Sequence, residues 1–320
     1  MSRARPLPAA AAAVRRGDRR ALARLITRVE ARDPTVAPVL SALYPFTGKA
    51  MVVGITGPLG VGKSSLINGL LAQLRRSGKR VGVIAVDPSS PFSGGSVLGD
   101  RIRIDRATED DGIFFRSMAS RGHSGGLALA TREVARLLDA FGMDVVLLET
   151  VGSGQVDVEV REVATTSVVV LVPHLGDDVQ TMKAGLFEIA DVFCVNKADL
   201  PGADSAKRDL SELVGLASSD GWRPTVLSSV AAEGLGIPEL WSAVEAHEQY
   251  LDTSGTRLKA ARERAADELL ALVRDRVGRE LSDAFEHDAK LAALLDEVVG
   301  RSLDPRSASE RLYRELRRTG

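Results

Sequence analysis

The sequence is poor in the residues that disulfide-rich, zinc-binding and membrane proteins depend on. Its 320 residues include one cysteine, Cys194, and four scattered histidines. A single cysteine excludes an internal disulfide framework and a thiolate metal cluster within one chain. No apolar run approaches the roughly 20 residues of a membrane span, and arginines soon follow the short alanine run near the N-terminus, unlike a signal peptide. We therefore expect a cytoplasmic protein with no membrane contact.

The sequence also lacks an excess of charge of either sign. Lysine and arginine number 42 against 43 aspartates and glutamates, which gives a net charge of −1. No whole-protein field therefore favours nucleic acid, and we expect no nucleic-acid partner. Hydrophobic residues make up 44% of the chain and charged residues 27%, which is typical of globular proteins. The length allows one large domain with helical additions, or two domains.

The pattern of apolar residues divides the chain into three parts. Residues 1–48 are predicted to form an N-terminal helical extension, because apolar residues recur at helical spacing over residues 8–43. In residues 49–245, short apolar segments, several of them rich in valine, alternate with helical segments. This pattern predicts an α/β fold, a parallel sheet covered by helices on both faces. The predicted strands are residues 51–56, 81–86, 113–116, 144–149, 167–172, 192–195 and 225–227.

The third part, residues 246–320, contains no predicted strand. Ala266, Leu270, Val273 and Val277 lie on one face of a predicted helix. An apolar face of this kind either packs on the preceding domain as a helical annex or forms a dimerisation arm. The pattern alone does not separate these two interpretations.

A glycine-rich motif follows the first predicted strand and begins a predicted helix. Residues 57–64, GPLGVGKS, match G-x-x-x-x-G-K-[ST], the P-loop of nucleotide-binding proteins, in its confirming context. The glycines let backbone N–H groups point at phosphate oxygens, and the helix N-terminus adds positive potential. Lys63 is expected to reach the β- and γ-phosphates and Ser64 to bind Mg²⁺. The predicted nucleotide-binding residues here are Gly57, Gly60, Val61, Gly62, Lys63, Ser64 and Ser65.

Two carboxylates end predicted strands and are candidate ligands of the same magnesium. Asp87 ends the second strand, and Glu149 ends the strand of residues 144–149. Ligand-contacting residues collect at the carboxyl ends of strands in open α/β sheets. Three residues after Glu149, the N–H of Gly152 is expected to sense the γ-phosphate. A helix cap or a turn is the structural alternative for each carboxylate.

A second motif predicts that the base is guanine. Residues 196–199, NKAD, follow a valine-rich strand. The Asp199 carboxylate can accept from the ring imino N–H and the 2-amino group of guanine, and adenine offers neither donor there. Asn196 is expected to brace the P-loop, and the stem of Lys197 to cover the base. Ser228, Ser229 and Val230, after the last strand, are expected to meet the guanine carbonyl oxygen by a backbone N–H.

Four further segments resemble the MeaB/ArgK family of SIMIBI-class P-loop GTPases. They are residues 86–101 (VDPSSPFSGGSVLGDR), 116–123 (RSMASRGH), 149–155 (ETVGSGQ) and 176–185 (GDDVQTMKAG). The resemblance implies a GTP- and GDP-binding chaperone of an adenosylcobalamin-dependent acyl-CoA mutase, such as methylmalonyl-CoA mutase. It implies a homodimer formed by C-terminal helices, which favours the dimerisation arm. It also implies that Asp100 binds magnesium and that Lys183 helps to order the nucleotide site.

No residue of the sequence plainly matches a water-positioning glutamine or an arginine finger. Lys63 is expected to stabilise the charge on the γ-phosphate, and Gln155 and one of Arg101 and Arg103 are candidates for further catalytic roles. Their structural alternatives are a loop-bracing amide and a surface or ion-pair residue. Two other functions compete with the chaperone: a kinase-like, transport-associated NTPase, which the guanine motif disfavours, and a metallochaperone GTPase, which the isolated Cys194 disfavours.

Overall fold

The computed structural model describes residues 7–87, 110–119, 126–150, 156–173, 188–217 and 221–319. The chain divides into two compact units, Met1–Arg262 and Glu263–Gly320. The first unit is built on a seven-stranded sheet. Its strands are β1 (Met51–Thr56), β2 (Val81–Asp87), β3 (Ile113–Ala119), β4 (Val145–Thr150), β5 (Thr166–Leu171), β6 (Val192–Val195) and β7 (Thr225–Ser228).

All neighbouring strands of this sheet are parallel, in the order β3-β2-β4-β1-β5-β6-β7. Every residue of β4, β5 and β6 is buried, as the valine-rich segments predicted. The predicted α/β fold is thus confirmed. β3 extends three residues beyond the predicted 113–116, because it pairs with β2 over its whole length, up to Asp87 opposite Ala119.

Eleven α-helices are described along the chain. They are α1 (Ala9–Arg15), α2 (Arg19–Glu30), α3 (Ala37–Leu43), α4 (Lys63–Arg76), α5 (Gly126–Phe141), α6 (Val156–Val163), α7 (Ala203–Ala217), α8 (Ile237–Thr253), α9 (Thr256–His287), α10 (Ala289–Val299) and α11 (Pro305–Thr319). The P-loop motif lies between β1 and α4, so it stands at the carboxyl edge of the sheet.

The two faces of the sheet carry separate cores. On one face, Val53 and Ile55 of β1 pack with Leu66 and Leu70 of α4 and with α8. On the other face, α5 covers β2 and β4, and α7 covers β5 and β6. Strand residues point alternately to the two faces. The odd-numbered residues of β1 therefore pack under α4, and the even-numbered ones face α5 and α6.

The N-terminal extension packs on α5 and is divided into several helices. Val14, Leu22, Ile26 and Leu43 are buried in the same core as α5. One continuous helical stretch over residues 8–43 was expected, but the chain turns at Gly17, whose φ is +86°. The Asp18 carboxylate then accepts from the N–H groups at the start of α2, which satisfies donors that have no partner within the helix.

Polar contacts also join the extension to the sheet domain. Arg19 donates to the Ile113 carbonyl over 2.7 Å. The Asp139 carboxylate of α5 accepts from the N–H groups of Gly48 and Ala50, over 2.5 and 3.0 Å. The buried carboxylate of Asp139 therefore ties the segment before β1 to α5. Because β1 leads into the P-loop, this contact helps to orient the strand that carries the loop.

The second unit is helical in its described residues. Leu291 and Leu294 of α10 and Ala308 of α11 form a small core, with further apolar residues packed around it. By contrast, Leu270 and Val273 of α9 are 54% and 59% exposed. No described helix combines the length and the hydropathy that a membrane span requires.

A buried polar cluster lies at the amino edge of the sheet, away from the P-loop. Thr166, at the start of β5, contacts Nδ1 of His247 over 2.8 Å and donates to Oε1 of Glu248 over 2.7 Å. His247 Nε2 lies 3.4 Å from Asp191, and Trp222 packs on the imidazole ring. Burial lowers the pKa of His247 to about 4, and it outweighs the raising effect of Glu248. The imidazole is therefore neutral at pH 7.

This burial makes the stability of the first unit depend on pH. The unfolded chain takes up a proton on this histidine below about pH 6.5, while the folded chain does not until about pH 4. Stability is therefore lost as the pH falls through that window, by about 2 kcal/mol between pH 7.5 and pH 5. Urea unfolding followed by tryptophan fluorescence should show this loss. His247→Gln should lack it, and His287→Gln should retain it; an equal loss in His247→Gln contradicts the assignment.

Candidate functional site

Two glycines of the P-loop occupy positions that no other residue could take without strain. Gly57 and Gly62 have φ values of +138° and +93°. A Cβ on Gly57 would lie 2.1 Å from the Val170 carbonyl oxygen, and a Cβ on Gly62 would lie 2.4 Å from Nδ2 of Asn196. The loop therefore packs tightly against β5 and against the loop after β6. This close packing explains the residue type at both fixed glycines of the motif.

The side chain of Lys63 is held inside the loop. It is 6% exposed, and its Nζ donates to the carbonyls of Gly57 and Pro58 over 2.6 and 2.8 Å. Lys63 is also the first residue of α4, so the loop that holds its ammonium group leads directly into the N-terminal N–H groups of this helix. Together they make an anion site of the kind that binds phosphate.

Two predicted magnesium ligands are in direct contact. Ser64 Oγ donates to Oε1 of Glu149 over 2.5 Å, because β1 and β4 are neighbours with Ile55 opposite Glu149. A hydroxyl and a carboxylate are hard oxygen donors, and they fit Mg²⁺, which takes few protein ligands beside phosphates and water. The described residues contain no group of three or more His, Cys, Asp or Glu that could hold a metal.

Asn196 joins the predicted base-binding loop to the P-loop. Its Nδ2 donates to the Val61 carbonyl over 2.8 Å, so it contacts the loop as the sequence predicts. Its Oδ1 accepts from Ser229 Oγ and from the Ala231 N–H, both over 3.0 Å. These three contacts fix the orientation of the amide. The predicted base-binding loop (residues 196–199, the base loop) and the P-loop (residues 57–64, the phosphate loop) are therefore held together.

The next residues of the motif face solvent. Lys197 has a φ of +56°, a conformation that costs energy for a residue with a side chain and that collects at functional sites. Lys197 and Asp199 are both exposed. The turn thus exposes the Lys197 stem and the Asp199 carboxylate at the carboxyl edge of the sheet, where they are accessible to a nucleotide base.

Two backbone N–H groups of the segment after β7 form hydrogen bonds within the chain. The N–H of Ser229 donates to the Val195 carbonyl over 2.9 Å, and the N–H of Val230 donates to the Leu235 carbonyl over 3.0 Å. Both N–H groups thus bond within the chain, and the contact of a backbone N–H of residues 228–230 with the guanine carbonyl oxygen stays a prediction. The side chain of Ser229 supports Asn196. Ala231 was missed, since only the three-dimensional arrangement brings its N–H to Asn196.

Cys194 lies in the core beneath this segment. Its thiol is fully buried and lies 3.1 Å from Ser229 Oγ. Burial raises the pKa of this thiol to about 11, so no thiolate forms near neutral pH to bind a soft metal.

The remaining predicted site residues lie partly or wholly outside the described residues. The backbone of Asp87 ends β2, but its side chain is outside the description. The candidates Asp100, Arg103, Gly152, Gln155 and Lys183 lie in segments that the structure does not describe. Their roles stay predictions.

Comparison with known proteins identifies the family. Residues 22–286 match the family described as methylmalonyl Co-A mutase-associated GTPase MeaB. The chain belongs to the MeaB family. Its members are P-loop GTPases, and this MeaB-family chain is accordingly a GTPase that binds guanine nucleotide.

Relatives over the whole chain agree. A protein of Pyrococcus abyssi is 45% identical over 307 residues, which cover 95% of this MeaB-family chain and 94% of the relative. The GTPase ArgK of Escherichia coli is 34% identical over 308 residues, with 93% of each chain covered. The crystal structure of an LAO/AO transport system kinase matches with a TM-score of 0.73 and 27% identity, over 99% of each chain.

The exposed carboxylate of Asp199 leads to a test of base recognition. Asp199→Asn replaces one acceptor by a donor, which no longer matches the two donors of guanine but matches the imino N–H and 2-carbonyl of xanthine. We expect GTP affinity to fall by roughly a hundredfold, on the order of 3 kcal/mol, and XTP to bind better than GTP. Competition against a fluorescent guanine nucleotide measures both. Asp204→Asn, on the nearby exposed start of α7, serves as the control and should bind GTP normally. Unchanged GTP affinity in Asp199→Asn would falsify its assigned role.

Proposed function

We propose that this GTPase is a chaperone of an adenosylcobalamin-dependent acyl-CoA mutase, methylmalonyl-CoA mutase or a close relative. In this role GTP binding and hydrolysis gate the loading of the cofactor, and protect or reactivate the mutase. The observation that carries the proposal is the match of residues 22–286 to a family described by its association with methylmalonyl Co-A mutase. The joined phosphate and base loops support a switch that responds to guanine nucleotide.

The proposed chemistry is in-line attack of water on the γ-phosphate. Lys63 and the N–H groups of the P-loop stabilise the charge that spreads over the phosphoryl oxygens. Ser64 and Glu149, with Asp87 and Asp100, would hold magnesium directly or through water, and the ion would supply neutralisation of phosphate charge. The direct contact of Ser64 with Glu149 supports this ligand set.

The remaining roles in the chemistry are assigned from the sequence. The N–H of Gly152 senses the γ-phosphate, and Gln155, Arg103 and Lys183 are the candidates that orient water or complete the charge stabilisation. We expect the chain alone to hydrolyse GTP slowly and a partner to raise the rate.

We further propose that the chain acts as a homodimer through residues 246–320. The support comes from α9, where Leu269, Leu270, Val273 and Val277 are all at least 39% exposed. Apolar side chains at this spacing form one surface on a long helix. A second copy of the same helix offers an equivalent surface, as a two-fold dimer requires.

The two competing functions have less support. The kinase-like function is favoured by the name of one structural relative, the LAO/AO transport system kinase, but nothing in the described site offers an acceptor for a phosphoryl group. The metallochaperone function needs soft ligands, and the chain's one thiol is buried with a raised pKa.

The mutase proposal predicts stimulation of GTP hydrolysis. We would measure hydrolysis by the chain with and without each adenosylcobalamin-dependent acyl-CoA mutase of its source organism. One mutase should raise the rate at least about tenfold, a change of about 1.4 kcal/mol in the barrier. Lys63→Ala should remove basal and stimulated hydrolysis, which shows that the rate comes from this chain. The absence of stimulation by every mutase contradicts the chaperone function but leaves the GTPase assignment intact.

The dimer proposal predicts that charge on the exposed face of α9 produces monomers. Leu270→Glu combined with Val273→Glu places four carboxylates together in a two-fold contact, where their desolvation opposes association. Sedimentation equilibrium should show a dimer for the wild type and a monomer for this variant. Leu216→Glu, at an exposed leucine of α7 in the first unit, is the matched control and should remain dimeric. A monomeric wild type, or a dimeric double variant, would contradict the proposal.

A further inference from the structure

Two buried threonines lie side by side where β1 and β4 end. Thr150 Oγ1 donates to Thr56 Oγ1 over 2.9 Å, and the two residues are 1% and 0% exposed. The backbone pairing of β1 with β4 stops one residue earlier, at Ile55 opposite Glu149. The bond between the hydroxyls therefore extends the connection between the two strands by one residue, to the edge of the sheet where the site lies.

Each threonine is bonded covalently to one half of the site. Thr56 precedes Gly57, whose carbonyl accepts from Lys63 Nζ over 2.6 Å. Thr150 follows Glu149, whose carboxylate accepts from Ser64 Oγ over 2.5 Å. The hydrogen bond between the threonines thus connects Lys63, expected at the phosphates, with the pair of Ser64 and Glu149, expected at the magnesium.

The residue type is informative because the surroundings are apolar. On this face Thr150 follows Leu148 and Thr56 follows Gly54, and on the neighbouring strands Val86 is paired with Thr150 and Val169 with Thr56. Valine would therefore suit these positions by shape and polarity. A buried hydroxyl costs free energy unless it is hydrogen-bonded, and the packing of a buried strand does not require a hydroxyl. Two hydroxyls placed together at the end of the ladder indicate a positional role.

We propose that Thr150, acting through Thr56, is a positioning residue that fixes the Lys63 ammonium group relative to the Ser64–Glu149 pair. It thereby sets the position of the β- and γ-phosphates relative to the magnesium. This inference rests on the magnesium site of the proposed function. It does not depend on the mutase, and the chain alone can be tested.

The test compares Thr150→Val, Thr56→Val, the double variant and Thr150→Ser in GTP hydrolysis and in thermal unfolding. We expect Thr150→Val to lower kcat roughly tenfold with KM for GTP changed less than about twofold, and to raise the magnesium concentration for half-maximal activity. The increase in Tm that magnesium adds to that of GDP alone should shrink as well. Thr56→Val and the double variant should lower kcat and the magnesium response by the same amount as Thr150→Val, because all three remove one bond and their effects do not add. Thr150→Ser should behave as the wild type.

Thr166→Val is the matched control. It removes an equally buried threonine hydroxyl at the opposite edge of the sheet. It should lower stability while kcat and the magnesium response remain those of the wild type. If Thr150→Val does not fold, Thr56→Val removes the same bond from the other side and takes its place in the comparison.

The outcomes separate this inference from the function on which it rests. The positioning role alone is contradicted if Thr150→Val responds to magnesium as the wild type does. It is also contradicted if Thr166→Val loses as much kcat and magnesium response as Thr150→Val. A wild-type activity and a GDP-dependent Tm that are both insensitive to magnesium contradict the proposed magnesium site, and the positioning role with it.

Discussion

The packing of Asn196 against the P-loop is the contact on which the rest of the site depends. The amide of Asn196 donates to Val61, and its nitrogen lies where a side chain on Gly62 would have to be. A side chain at position 62 would displace Asn196, and with it the turn of residues 196–199. The P-loop and the turn of residues 196–199 are consequently joined in one arrangement at the carboxyl edge of the sheet. The positive φ values of Gly62 and Lys197 are conformations that this arrangement imposes.

The fold was predictable because its signals are local and strong. Valine-rich segments bounded by helical segments predict strands buried on both faces, and β4, β5 and β6 are buried throughout. The N-terminal extension was predicted as helix but not its division. The helical spacing of apolar residues continues across Gly17, so it does not reveal the break. The break is stabilised by Asp18, whose side chain caps the start of α2. Such a local side-chain cap competes with the continuation of the helix.

The site was predictable where one short motif carries the chemistry. The P-loop follows a strand, and its glycines, lysine and serine have fixed spacing, so their positions follow from the sequence. The support of Asn196 by Ser229 and Ala231 was not predictable, because those contacts depend on how β6 and β7 pair. The pair of Thr56 and Thr150 was missed for the same reason. These residues are 94 positions apart, and only the register of β1 with β4 brings them together.

The single thiol has a practical consequence for experiments on this protein. Cys194 is buried, and the raised pKa keeps it protonated near neutral pH, so it reacts slowly with maleimides and similar reagents. The native chain behaves towards such reagents as a cysteine-free protein. A cysteine introduced at an exposed position can therefore carry a dye or spin label with the wild-type core left intact. Distances between the sheet domain and the C-terminal helices become measurable in solution without any change to the nucleotide site.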